Sequence, residues 1–313
     1  MAGAVCSGIF FNITGNRSPS FIQNHYKLGK MVDGSLILNN FECIFLYYKN
    51  RIEPVNPHYR KSLNLLHELL RDDGETELYI VYEILKTRGL YVKRESNMLF
   101  ARKTPNGKLM GPIIVRRENS VTDFHYLHSN APAYYFTLDE DGDITAFLVT
   151  EEEIAGRNNE KIPLHIDTER VGGRIVTDRR DIPPWYGQPF KDLRILSDFE
   201  SGYHRSDSTE GFLNRIYSDL IDRRFIVKSG FKYGAHFRAY AENIGDHAEF
   251  LIHYLEGPEE WYKISRAVRV ANGVRKRMIF CGYMNDRLMF VEIKRIRDPF
   301  REQDDAVEPT TPG

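Results

Sequence analysis

Three side chains of different chemistry lie close together in the last third of the chain. Tyr240 ends the run Phe237-Arg238-Ala239-Tyr240. His247 opens the run His247-Ala248-Glu249-Phe250-Leu251-Ile252-His253-Tyr254. Lys276 sits in the triplet Arg275-Lys276-Arg277, before the apolar segment Met278 to Tyr283. A phenol, an imidazole and an ammonium are what metal-free cleavage of RNA needs. One group must take the ribose 2′ proton, one must protonate the leaving 5′ oxygen, and the third must offset charge as the phosphorane forms. Imidazole exchanges protons near neutral pH, and lysine supplies a compact positive charge. Taken singly, each residue has a plainer explanation. Tyr240 fits a core aromatic with a satisfied hydroxyl, His247 a backbone cap beside the Gly245-Asp246 turn, and Lys276 one member of a solvated basic run.

The elements that must position them are short. The two alternating runs, separated by a polar break, predict strands joined by a brief connection that brings Tyr240 and His247 together. The block Gly230-Phe231-Lys232-Tyr233-Gly234 comes just before them. In this order the blocks resemble the archaeal tRNA-splicing endonucleases. The signature of that family runs Gly-Phe-Lys-Tyr/Phe-Gly, then Phe-Arg-x-Tyr, then His with an apolar strand, then Lys before a strand. The resemblance covers most of the C-terminal third, and its specificity lies in the ordered set of blocks.

The resemblance implies that Tyr240, His247 and Lys276 are the catalytic three, with Tyr240 as general base, His247 as general acid and Lys276 as charge stabiliser. It implies cleavage of precursor tRNA at bulge-helix-bulge junctions to 2′,3′-cyclic phosphate and 5′-hydroxyl ends, with no metal and no cofactor. Arg269, seven residues before Lys276, matches one of two arginines that sandwich a bulged base. Arg295 is the preferred second, ahead of Arg297, and all three also suit phosphate contacts. His236 and His253 are expected to flank the site or bind phosphate. Strict strand alternation would put His247 and His253 on one face.

A chain of 313 residues with 42% hydrophobic content can build more than one core. The net charge of -1 gives no hint of a nucleic-acid partner, but the distribution does. From Trp261 to Arg297 ten basic residues are opposed within the segment only by Asp286 and Glu292. A solvated basic face explains that charge alone, and its overlap with the catalytic blocks favours a phosphate-binding groove. Cys6, Cys43 and Cys281 suggest neither a metal motif nor a disulfide framework, so a reducing, cytoplasmic setting is expected. No run of apolar residues is long enough to predict a membrane span.

The fold class expected is α+β in an internally duplicated chain. Each half would hold an α+β N-terminal module followed by a mixed α/β endonuclease-type module. Phe41-Glu42 aligns with Phe199-Glu200, Tyr82 with Tyr217, Lys93 with Lys228, and the segment Tyr134 to Val149 with Met278 to Ile293. The boundaries expected are 1–70 and 71–155 for the first repeat, 156–210 and 211–300 for the second, and a disordered acidic tail at 301–313. The segment from Glu151 to Lys161 reads as a linker. The first half lacks the Gly-Phe-Lys-Tyr-Gly block and the Tyr, His and Lys series, so it is expected to be catalytically empty. It carries the acidic turn Asp139-Glu140-Asp141-Gly142-Asp143, which suits an ordinary hairpin. Family resemblance gives Asp139, Glu140, Asp141 and Asp143 a sharper part, as a loop that docks into a basic pocket of a second chain in a homodimer. Two other functions compete with a homodimeric nuclease. A non-catalytic structural RNA-binding subunit is opposed by the intact Tyr240, His247 and Lys276 series. A DNA endonuclease would need a carboxylate and metal cluster, and no such constellation stands out.

Overall fold

Asn39 caps the helix Asn40–Tyr48 in the computed structural model, which describes residues 3–15, 17–203, 211–245 and 247–297. The Asn39 side chain accepts from the Glu42 N–H at 3.0 Å, and the Glu42 carboxylate accepts from the Asn39 N–H at 2.9 Å. This is a reciprocal capping box. The same carboxylate also accepts the Gly29 N–H at 3.1 Å, which ties the helix start to the turn before it. The acidic tail at 301–313 lies outside the described residues.

By compactness the chain divides into Met1–Arg117 with Tyr135–Ile144, and Glu118–Tyr134 with Thr145–Gly313. The first unit opens with a five-stranded sheet in the order Lys30–Val32, Ser35–Ile37, Ala4–Cys6, Ile9–Ile13, Ile52–Pro54. It continues with the helix Glu75–Thr87 and the antiparallel strands Tyr91–Glu95, Met98–Arg102 and Met110–Arg117. A helix also begins at Pro19. Ser18 caps Pro19–Tyr26 by accepting the Phe21 N–H, with proline at the first helical position.

The second unit has a four-stranded antiparallel sheet in the order Glu169–Val171, Arg174–Thr177, Leu193–Leu196, Gln188–Phe190. Ser197 then repeats the device seen at Asn39. It accepts the Glu200 N–H, and Glu200 accepts the Ser197 N–H and the Gly187 N–H, each at 2.9 Å. The helix Phe212–Asp222 follows. Beyond it runs a sheet in the order Ile226–Ser229, Phe237–Tyr240, Phe250–Tyr254, Arg277–Met284, Arg287–Ile296, Ile144–Glu152. One face of this sheet buries Phe237, Ala239, Phe250 and Ile252 against Ile216 and Leu220 of the helix.

Local features recur at the aligned positions. Gly89, at φ +81°, and Arg224, at φ +65°, both end a helix in the left-handed conformation. The Gly89 N–H donates to the Lys86 carbonyl and the Leu90 N–H to that of Leu85. Arg224 donates likewise to Ile221 and Phe225 to Leu220. Both are Schellman closures. Tyr82 packs on Phe41 with ring centroids 5.4 Å apart, and Tyr217 stacks on Phe199 at 5.8 Å.

The segment from Glu151 to Lys161 is not a free linker. Its first residues continue the strand Ile144–Glu152, which pairs antiparallel with the C-terminal strand so that Val149 lies opposite Ile293. Farther on, the Gly156 N–H donates to the Arg223 carbonyl at 2.8 Å and the Asn158 N–H to the Arg224 carbonyl at 3.0 Å. A Cβ on Gly156 would stand 2.1 Å from the Arg224 carbonyl oxygen, so only glycine fits this approach. This pairing and these hydrogen bonds lie within the second unit, which includes the strand from 145 onward. Among the described residues no helix is long and apolar enough to cross a membrane.

Candidate active site

Strand register explains how residues far apart in sequence reach one end of one sheet. Ala239 pairs with Phe250 in an antiparallel ladder, and Phe250 pairs with Arg277 in a parallel one. The residue after Ala239 and the residues before Phe250 and Arg277 therefore emerge at the same end. These are Tyr240, the segment His247 to Glu249, and Lys276. The expected strand begins only at Phe250, so His247 lies in the connection and not in the strand.

Lys276 is held from both sides. The helix Trp261–Gly273 closes with a third Schellman motif, in which Arg275 adopts φ +55° and the Lys276 N–H donates to the Ala271 carbonyl at 2.9 Å. The next residue starts the strand, its N–H donating to the Glu249 carbonyl at 2.9 Å. Lys276 Nζ donates to the Ala248 carbonyl at 2.6 Å, next to His247, and lies 5.8 Å from the centroid of the Tyr233 ring. Ala248 belongs to the same apolar cluster as Tyr240, together with Ile226, Ile175, Trp185 and Leu196. Tyr240 is only 7% exposed, and the Arg238 guanidinium stands 5.8 Å from its ring centroid. His247 is exposed.

The other expected residues fall in different places. His236 and His253 pack with ring centroids 4.5 Å apart and their planes tilted by 42°, at the far end of the same strands. Tyr240 lies four positions after His236, roughly 13 Å at the rise of a strand. The pair therefore does not join Tyr240 and Lys276. It borders a cavity of about 790 Å³ that Phe212, Tyr254 and Glu256 also line. His236 Nδ1 accepts the Tyr254 N–H at 3.1 Å. Burial lowers the pKa of His236, and it pushes that of His253 down to about 4, with the neighbouring His236 adding to the shift. Both are thus held neutral, which suits a packed polar pair better than a phosphate ligand.

Arg269, Arg295 and Arg297 are all exposed. Ile279 lies opposite Glu292, and continuing that register by three residues sets Lys276 level with Arg295. The basic excess of the segment is smaller than its sequence suggests. Arg277 is clamped by Glu292 at 2.7 Å and Glu152 at 2.8 Å, and Lys263 pairs with Glu259 at 2.8 Å. In the acidic turn, the Asp139 carboxylate accepts the N–H groups of Asp141 at 3.1 Å and Asp143 at 2.8 Å. Glu140, Asp141 and Asp143 are exposed beside it. No group of three or more His, Cys, Asp or Glu among the described residues could hold a metal ion.

Residues 213–288, which carry Tyr240, His247 and Lys276, match the family described as tRNA intron endonuclease, catalytic C-terminal domain. Similarity extends along nearly the whole chain. It is 36% identical over 298 residues to a tRNA-splicing endonuclease of Thermoplasma volcanium, covering 95% of this chain and 99% of that protein. A tRNA-splicing endonuclease of Picrophilus torridus is 32% identical over 291 residues, covering 93% and 96%. One from Thermococcus onnurineus is 39% identical over 93 residues, 28% of this chain and 53% of the relative. The chain belongs to the archaeal tRNA-splicing endonuclease family.

Proposed function

We propose that this chain removes introns from precursor tRNA by cutting bulge-helix-bulge RNA, without a metal ion, to 2′,3′-cyclic phosphate and 5′-hydroxyl ends. The observation that carries this reading is the shared register of Ala239, Phe250 and Arg277, which directs Tyr240, the His247 segment and Lys276 to one end of the sheet. Tyr240 takes the proton of the 2′-hydroxyl before the cut. His247, exposed at the rim, donates a proton to the departing 5′ oxygen. Lys276 offsets charge on the pentavalent phosphate. One of its N–H groups is used on the Ala248 carbonyl, and two remain for phosphate oxygens.

Arg269 and Arg295 grip the splayed base, with Arg297 on neighbouring phosphates, because A-form RNA is read through its shape and its unstacked nucleotides. The chain acts as a homodimer of duplicated chains, with modules at 1–70, 71–155, 156–210 and 211–300. Duplication is supported by the paired capping boxes, the Schellman closures at Gly89 and Arg224, and the aromatic pairs on Tyr82 and Tyr217. A relative in which 93 aligned residues make up 53% of the length agrees with it, being about half as long as this chain. The loop of Asp139, Glu140, Asp141 and Asp143 docks on the basic surface of the second chain.

Single-turnover cleavage tests the chemistry. A 2′-deoxy nucleotide at the cut is expected to abolish cleavage, and Lys276→Ala to slow it by about 100-fold or more while the melting midpoint stays unchanged. An unchanged rate for either would remove internal attack, or Lys276, from the mechanism.

A further inference from the structure

The block Gly230-Phe231-Lys232-Tyr233-Gly234 lies beside Lys276. It forms a short 3-10 turn closing the hairpin between Ile226–Ser229 and Phe237–Tyr240. The Tyr233 N–H donates to the Gly230 carbonyl at 2.8 Å, and the Gly234 N–H to that of Phe231 at 3.1 Å. Both glycines are demanded by this path. A Cβ on Gly230 would lie 2.7 Å from the Ala235 carbonyl oxygen, and Gly234 sits at φ +69°. The His236 N–H then donates to the Ile252 carbonyl at 3.1 Å, pinning the return of the chain to the neighbouring strand. Held this way, the tip brings the Tyr233 ring to Lys276, whose Nζ is 5.8 Å from the ring centroid. Lys232 Nζ is 5.7 Å from the same ring. Both lie within the reach of a cation–π contact, about 6 Å.

We propose that Tyr233 is a positioning residue, whose ring seats the Lys276 ammonium for charge stabilisation. The inference rests on the role given to Lys276 above. A lysine on four flexible carbons supplies charge at no fixed point unless something holds it. The Ala248 carbonyl holds Nζ from one direction at 2.6 Å, and the Tyr233 ring from another. The carbonyl uses one N–H, whereas the ring face attracts the charge through its quadrupole and leaves the remaining N–H groups directed at substrate oxygens. The tyrosine hydroxyl has no part in this, so phenylalanine is expected to serve equally well.

Single-turnover rates on a bulge-helix-bulge RNA, with enzyme concentration varied, test it in Tyr233→Phe, Tyr233→Leu, Lys276→Ala and the Tyr233→Leu/Lys276→Ala pair. Tyr233→Phe is expected within about two-fold of the original rate. Tyr233→Leu is expected to lower the maximal rate about 10-fold with half-saturation little changed, and to cost nothing further once Lys276 is alanine. Where the leucine variant melts early, Tyr233→Met takes its place. The inference is overturned if Tyr233→Phe loses as much as leucine, since the hydroxyl would then do the work. It is equally overturned if leucine slows the Lys276→Ala enzyme by the same factor, since Tyr233 would then act independently of the lysine. Lys276→Ala with an unchanged rate is a separate result, which removes the role of Lys276 and this inference with it.

Discussion

Residue by residue, the site combines two kinds of placement. Tyr240 and Lys276 are fixed by ladders, a helix closure and an apolar cluster, whereas His247 is carried on an exposed connection. The histidines at the other end of the strands have a different consequence. Burial holds the His253 pKa near 4, against about 6.5 for the unfolded chain. As pH falls, the unfolded chain takes up this proton first. Stability contributed by the neutral ring is therefore complete above about pH 6.5 and lost as pH falls toward 4, by on the order of 3 kcal/mol at most. His253→Gln should flatten this part of the curve in urea melts at pH 4 to 7, and an identical slope would contradict the assignment. Tyr240, His247 and Lys276 were legible as candidates because their blocks follow one another in a specific order. Tyr233 was not singled out, because its approach to Lys276 depends on the turn path that brings the hairpin tip to the lysine. The separation of His236 and His253 from Tyr240 was not legible, because alternation gives the face of a strand but not which end of it a residue occupies.

At the level of elements, helix ends decide much of the architecture. Gly89 and Arg224 close equivalent turns, yet only glycine enters the left-handed region without crowding its own Cβ. Arg224→Gly should therefore raise stability by about 0.5–1 kcal/mol, seen as a higher urea midpoint with unchanged slope. A lower midpoint would mean that the arginine side chain contributes more than its backbone costs. The helix Glu75–Thr87 and the strand after it could be read directly, since the apolar pattern and Gly89 mark both. Two other helices were hidden. At Pro19–Tyr26, Ser18 and Pro19 form a helix start that resembles a turn in sequence. At Trp261–Gly273, the buried positions Trp261, Ile264, Val268 and Ala271 follow helical spacing, but the basic residues between them drew attention to charge alone.

For the whole molecule, the acidic turn and the exposed arginines are the features a partner chain and an RNA would meet. Asp139 is spent on shaping its own turn, so docking charge falls to Glu140, Asp141 and Asp143. Replacing those three together by lysine should convert the proposed homodimer to monomers in sedimentation at about 0.15 M salt and abolish cleavage with the fold preserved. A persistent dimer would move the interface elsewhere. The positions of the paired capping boxes were visible from aligned residues. The place of the strand from 145 onward in the second unit was not, because it depends on backbone pairing with the C-terminal strand. The most direct test of a phenol, imidazole and ammonium acting on one ribose-phosphate junction is to identify the product ends. A bulge-helix-bulge RNA labelled at both termini and cut in excess chelator should yield 2′,3′-cyclic phosphate and 5′-hydroxyl ends. Ends bearing 3′-hydroxyl and 5′-phosphate, or no cleavage until a divalent metal is restored, would contradict it.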